Sequence, residues 1–191
     1  QNDLIKVIIL QCVGKTFIAG ADIKEFGQAP TRPYLPEVLE VIENCSKPII
    51  ASLFGTTLGG GFELALACSH RVALKNSKIG LPEVKLGLIP GSGGTQRLPR
   101  MIGLKKSIEL ICSGSIVTAA SVDKTPLFDA LFDDNLVENT RLFANNLLNN
   151  NVSKQHKLDD ISINDESIDW ALTKETIQKK SRGVKAPLAA L

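Results

Sequence analysis

The sequence predicts an α/β fold in which strands covered on both faces alternate with helices. Three observations predict it. Residues 4–13, Leu-Ile-Lys-Val-Ile-Ile-Leu-Gln-Cys-Val, form a nearly continuous β-branched, apolar run, the pattern of a strand buried on both sides. Leu35, Val38, Leu39 and Ile42 repeat at i, i+3, i+4 and i+7 within residues 34–44, which describes an amphipathic helix. Residues 48–54, Pro-Ile-Ile-Ala-Ser-Leu-Phe, are a second short apolar run and predict a second buried strand.

The elements between and beyond follow from local chemistry. Gly14-Lys15 turns the chain after the first strand, and Lys47-Pro48 stops the helix, because the residue before a proline is disfavoured in helical conformation. Gly55 and the triple glycine Gly59-Gly60-Gly61 break the chain after the second strand. From Phe62 to Cys68 it is apolar around nearly its whole circumference, as a helix buried on all sides must be. Strands are predicted at Arg71–Leu74 and Lys78–Gly80, and helices at Gly94–Ile102 and Lys105–Ser113. The composition changes after about Asn139. Asn145, Asn146, Asn149, Asn150 and Asn151 cluster and predict a loop that terminates a helix. A helical pattern follows from Ser162, with Ile168, Ala171, Leu172 and Ile177 before the basic Lys179-Lys180-Ser181-Arg182. The expected division is a core over residues 1–138 and a helical tail and linker over 139–191.

Composition bounds the function. A chain of 191 residues, 43% hydrophobic and 22% charged, predicts one domain able to bury a core. A net charge of +2 selects no polyanionic partner, so nucleic acid is not expected. Apolar runs fall well short of the roughly 20 residues a membrane span needs. The first residues show neither a basic n-region nor an apolar h-region, which points to a cytoplasmic rather than a secreted chain. Cys12, Cys45, Cys68 and Cys112 stand tens of residues apart without a CxxC pair, so reduced thiols are expected rather than a metal site or redox pair. His70 and His156 are too far apart in sequence to suggest a catalytic pair.

Three features exceed what a core needs. Ala19-Gly20-Ala21-Asp22-Ile23-Lys24 is a small-residue turn after a strand, where backbone N–H groups can approach a ligand. Gly59-Gly60-Gly61 opens the buried helix and presents unpaired N–H donors at its positive end. Each alone reads more readily as a tight turn, and two in one chain weaken that reading. The third feature is a pair of glutamates in apolar company: Glu63 in the first turn of a helix of Phe, Leu and Ala, and Glu83 among Leu81, Pro82, Val84, Leu86 and Leu88. A helix-dipole charge and a solvent-facing loop residue would explain them separately. Together, beside two glycine-rich turns, they favour acid/base chemistry, because burial raises a carboxyl pKa towards neutrality. Other motifs fail. Gly59-Gly60-Gly61 lacks the Lys-Ser/Thr of a phosphate loop, Pro90 stands where a nucleophile elbow needs glycine, and no GxGxxG follows a strand.

Three stretches carry a resemblance. These are Gly14-Lys15-Thr16-Phe17-Ile18-Ala19-Gly20-Ala21-Asp22-Ile23-Lys24-Glu25-Phe26, then Leu58-Gly59-Gly60-Gly61-Phe62-Glu63-Leu64-Ala65, then the run from Ile79 to Leu98 through Leu81-Pro82-Glu83 and Ile89-Pro90-Gly91-Ser92-Gly93-Gly94-Thr95-Gln96-Arg97. From about residue 5 to 115 the chain resembles the enoyl-CoA hydratase (crotonase) family in order and spacing. The resemblance implies a crotonase-like superhelix of ββα repeats with a helical C-terminal part, and an N-terminal hairpin missing ahead of Leu4. It implies Glu63 and Glu83 as the catalytic pair, Ala21 and Gly60 as oxyanion-hole N–H donors, and Gly91 as a group seating water. Lys15, Ala19, Asp22, Ile23 and Lys24 fall at coenzyme A-binding positions.

The activity so implied is addition of water to a 2-trans-enoyl-CoA thioester, with no cofactor beyond the coenzyme A of the substrate itself. Isomerisation between 3- and 2-enoyl thioesters, and an inactive acyl-CoA-binding fragment, are the rival expectations. Residues from Asp123 and from Lys179 to Pro187 are more similar to the hydratase region of multifunctional β-oxidation enzymes. A homotrimer, or an attached 3-hydroxyacyl-CoA dehydrogenase domain, is the partner the resemblance implies.

Overall fold

The computed structural model describes residues 2–20, 32–150, 163 and 167–191. A four-stranded parallel sheet is formed by β1 (Ile8–Leu10), β2 (Ile49–Leu53), β4 (His70–Leu74) and β7 (Ala130–Phe132), in the order β1-β2-β4-β7. A second sheet, β3 (Thr56–Leu58), β5 (Lys78–Gly80) and β6 (Val117–Thr118), has the order β3-β5-β6, with β6 antiparallel to β5. The chain steps from the first sheet to the second at Gly55, turns into α2 (Gly60–Ala67), and repeats the step from β4 to β5. These are successive strand–strand–helix units.

The apolar run of β2 is explained by its position. All five residues are buried, and their alternation divides them between two cores. Ile49, Ala51 and Leu53 face the main core with Phe62, Leu66, Ile79, Leu81 and Leu98. Ile50 joins Val72, Leu136, Ala144 and Leu147 on the opposite face, where Ser52 Oγ lies 2.9 Å from Thr140 Oγ1. That second face is covered by α5 (Leu136–Asn149).

Two expectations are corrected here. The strand predicted over residues 4–13 pairs only over Ile8–Leu10, at the sheet edge, and Leu4 and Val13 are 88% and 101% exposed. Among the described residues it pairs with β2 alone, as an edge strand, and its two faces are only partly covered, with Leu10 against the main core and Ile9 against the second. The Asn-rich stretch is not a terminating loop up to residue 149, because Asn145, Asn146 and Asn149 lie inside α5. Leu136, Thr140, Ala144 and Leu147 recur at i, i+4, i+8 and i+11 and are buried, so packing on β2 and β4 overrides the poor helix propensity of Asn. This helix also runs across the expected division at 138/139. The predicted helices at 34–44, 94–102 and 105–113 correspond to α1 (Leu35–Glu43), α3 (Gly94–Ile102) and α4 (Leu104–Ser113). In the tail, α6 (Trp170–Ser181) is capped by Asp169, whose carboxylate accepts from the Leu172 N–H at 3.0 Å, and α7 (Ala186–Ala189) packs against α4.

α2 is buried on nearly every side, including Phe62, Glu63, Ala65, Leu66 and Ala67. Its C-terminal carbonyls therefore need internal donors. Arg71, itself buried, supplies them: Nη1 donates to the Ala65 and Cys68 carbonyls at 3.3 and 2.6 Å, while Nε ties the helix end to the rest of the core by donating to the Leu127 carbonyl at 2.8 Å. The N-terminal end of the same helix forms the candidate site.

Candidate active site

Gly59 begins the site. Its φ of 53° and ψ of −131° are conformations that a side chain rarely adopts. A Cβ there would also lie 3.2 Å from Glu83 Oε1. Glycine thus lets the chain enter α2 directly beneath that carboxylate. Gly60 is the first residue of α2, so its N–H has no intrahelical acceptor, and it has none among the described residues. A Cβ on Gly60 would come within 2.8 Å of Leu35 Cδ2, which places the start of α1 against this donor.

Glu63 follows in the first turn and is only 2% exposed. A buried carboxylate requires donors, and Oε1 accepts from the N–H groups of Ser92 and Gly94 at 2.7 and 2.8 Å. Both donors lie at the start of α3, whose positive end favours the charge. Glu83 projects from a short 3-10 turn, Pro82–Leu86, and is half-buried. Its Oε2 is buried without a hydrogen-bond partner among the described residues. Burial pushes its pKa up; a backbone hydrogen bond pulls the other way, and the negative charge of Glu63 adds to the rise. One carboxylate is thus fixed by backbone N–H groups, and its neighbour is biased towards holding a proton.

The structure brings Glu63, Glu83 and Gly60 together. Gly91 lies exposed on the loop before α3, next to the Ser92 and Gly94 donors. Lys15 and Ala19 are exposed on the segment after β1, and Lys15 makes no ion pair among the described residues. Ala21, Asp22, Ile23 and Lys24 lie outside the described residues. The sequence reading missed Ser92 and Gly94 as the donors that hold Glu63, although Gly93-Gly94 ahead of a helix is a signal of free N–H groups. It also missed Arg97, which binds Glu43 through Nε–Oε1 at 2.7 Å and Nη2–Oε2 at 2.9 Å. His70 is engaged with Asp129, Nδ1 to Oδ1 at 2.8 Å, and packs edge-on against Phe143. A cavity of about 700 Å³ separates α4 from α6 and is lined by Val84, Ile108, Cys112, Leu172 and Ile177 among others; neither carboxylate lines it.

Comparison with known proteins places this geometry. The family model for enoyl-CoA hydratase/isomerase matches residues 1–183. A peroxisomal bifunctional enzyme of Danio rerio is 40% identical over 177 residues, covering 92% of this chain and 25% of the relative. A probable enoyl-CoA hydratase of Bacillus subtilis is 48% identical over 121 residues, covering 60% of this chain and 47% of the relative. The chain therefore spans between a quarter and a half of the length of these relatives. The crystal structure of an enoyl-CoA hydratase from Bacillus anthracis superposes with a TM-score of 0.71 at 28% identity, over 95% of this chain and 73% of that one. With a family match across nearly its whole length and a paired-carboxylate site built on the matching motifs, the chain belongs to the enoyl-CoA hydratase/isomerase family.

Proposed function

We propose that the chain adds water across the C2=C3 bond of 2-trans-enoyl-CoA thioesters. The observation that carries this reading is the pair of carboxylates at the start of α2, one held by two N–H groups and the other with a raised pKa and a buried oxygen without a partner. Glu63, as carboxylate, takes a proton from water as the water oxygen bonds to C3. The electron pair of the double bond moves towards the thioester, and negative charge grows on its oxygen. The Gly60 N–H, with that of Ala21, stabilises this charge. Glu83 delivers its proton to C2, and proton exchange between the two carboxyl groups and water restores the starting state. Gly91 seats the water, and Lys15, Ala19, Asp22, Ile23 and Lys24 line the coenzyme A. An attached 3-hydroxyacyl-CoA dehydrogenase domain or a homotrimer fits the same reading, since several of the relatives are named as multifunctional or bifunctional enzymes.

The test is the ultraviolet absorbance of a 2-enoyl-CoA thioester followed with and without the chain. Loss of the conjugated band with formation of the 3-hydroxyacyl product is expected. An unchanged spectrum at high protein concentration refutes the reading. Isomerisation is the second reading, because a relative from Mycosarcoma maydis, 45% identical over 136 residues, is named an enoyl-CoA isomerase/hydratase. A 3-enoyl thioester converted faster than the 2-enoyl form is hydrated would favour it.

A further inference from the structure

We infer that Arg97, clamped by Glu43, is a positioning residue that holds the Ser92–Gly94 loop in the shape that grips Glu63. The inference rests on the reading of Glu63 as a proton-transfer group. Glu63 Oε1 depends on two N–H groups two residues apart, those of Ser92 and Gly94. The Gly91–Ser92 and Gly93–Gly94 peptides must then both point inward, while the Ser92–Gly93 peptide between them turns at a left-handed residue, Gly93, with φ 90°. Such a turn needs an external hold on its carbonyl side. Arg97, in the second turn of α3, folds back so that Nη1 donates to the Ser92 carbonyl at 2.5 Å. Its guanidinium lies so close to the turn that a Cβ on Gly93 would be 2.3 Å from Nη1.

The remaining face of the guanidinium is fixed by a two-point fork to Glu43. The side chains of Arg97 and Glu43 are 9% and 27% exposed, which sets the pair apart from the solvated surface pairs that contribute little. Arginine suits the task because its planar fork can bind a carboxylate in two places while its remaining N–H groups reach a carbonyl. Glu43 is also the last residue of α1, the helix that places Leu35 against Gly60 at its other end. One helix therefore braces both halves of the site, the free N–H of Gly60 and the loop that holds Glu63.

The test combines amide hydrogen exchange by NMR with hydration kinetics on the whole chain. In Arg97→Gln the Ser92 and Gly94 amides should exchange about tenfold faster or more, while amides in β2 and β4 keep their protection. Glu43→Gln should show a smaller change in the same amides, and Arg97→Lys should restore part of the protection. The turnover number should fall about 10–100-fold with KM changed less than about threefold, since a small displacement of a reacting group is costly. In a Glu63→Gln background the same Arg97 substitution should change turnover by less than about threefold, because a residue acting through Glu63 has nothing left to position.

Unchanged exchange at Ser92 and Gly94 in a folded variant overturns the inference, as does an Arg97 effect on turnover that multiplies independently with that of Glu63. If Arg97→Gln does not fold, Glu43→Gln carries the same two readouts. Should Glu63→Gln alone leave hydration intact, the proposed function fails at that residue, while the exchange data still decide whether the clamp holds the loop.

Discussion

Replacing Glu63 by Gln separates chemistry from architecture at one position. Both N–H groups that hold the side chain converge on a single oxygen, Oε1, and the amide oxygen of Gln can occupy that place. Hydrogen bonds to a charged acceptor contribute about 1.5–3 kcal/mol each and to a neutral one about 0.5–1.5. The exchange therefore costs about 2–3 kcal/mol in bonding, partly offset because a buried charge is removed. Glu63→Ala, by contrast, strands two inward N–H groups and costs about 2–6 kcal/mol at about 1–3 for each, before any cavity term. Proton transfer by a positioned carboxylate supplies about 10²–10⁴ in rate, which is about 3–5 kcal/mol of barrier. Glu63→Gln should therefore unfold within about 3 kcal/mol of the parent in urea while losing hydration by about 10²–10⁴-fold. Enoyl-thioester absorbance measures the rate, and circular dichroism against denaturant measures the stability. A folded Glu63→Gln chain with parental turnover would refute the assignment of Glu63 to proton transfer.

The other expected outcomes are these. Because the pKa of Glu83 is raised in the folded state, its ionisation opposes folding at pH values above the folded pKa, and that penalty is absent below the unfolded one. Glu83→Gln should accordingly raise the melting temperature at pH 7 and lose that advantage by about pH 3.5, while lowering hydration by about 10²–10⁴-fold; a stability gain that grows towards acid would reverse the sign of the argument. Gly60→Pro removes one N–H donor at the first helical position, where the fixed φ of proline suits a helix, although its ring must displace the Leu35 side chain that a Cβ would meet at 2.8 Å. It should cost about 10²–10³ in turnover, and a folded variant with normal rates would place the donor elsewhere. Arg71→Ala leaves the Cys68 and Leu127 carbonyls without their donor and takes a buried cation from beside Asp129. A loss of about 3–5 kcal/mol in urea unfolding is expected, and a loss under about 1 kcal/mol would show that other groups satisfy these carbonyls.

The elements legible in the sequence were those whose burial comes from neighbours close in the chain. α1, α3 and α4 each show their own apolar stripe, and β2 reads as a strand because both its faces are covered. The misreadings concern long-range context. Residues 4–13 have the composition of a central strand, yet pairing decides burial, and among the described residues Ile8–Leu10 has β2 alone beside it. β7 is too short at Ala130–Phe132 to announce itself and exists because β4 offers an edge. The stripe Leu136, Thr140, Ala144, Leu147 was present in the sequence, but Asn at 145, 146 and 149 masked it, since propensity was weighed without the sheet face that the helix covers.

The site was legible for a different reason: its residues conflict with the needs of a core. A glutamate at the start of a helix made of Phe, Leu and Ala, and another between Leu81 and Val84, are expensive placements unless something holds or uses them. The structure shows that the two are treated differently. Glu63 receives two backbone donors, whereas Glu83 keeps one buried oxygen without a partner and a raised pKa. That asymmetry could not be read from sequence, because the donors to Glu63 are main-chain groups of Ser92 and Gly94, whose direction depends on a turn at Gly93. Nor could the side chain that braces the turn be found by residue type, although Arg97 falls with Gly94, Leu98 and Met101 on the buried stripe of α3. Only its fold-back onto the Ser92 carbonyl and its fork with Glu43 distinguish it. A motif can therefore name the two candidate carboxylates, while the difference between them resides in backbone geometry that the motif's glycines permit and, on our inference, a distant ion pair maintains.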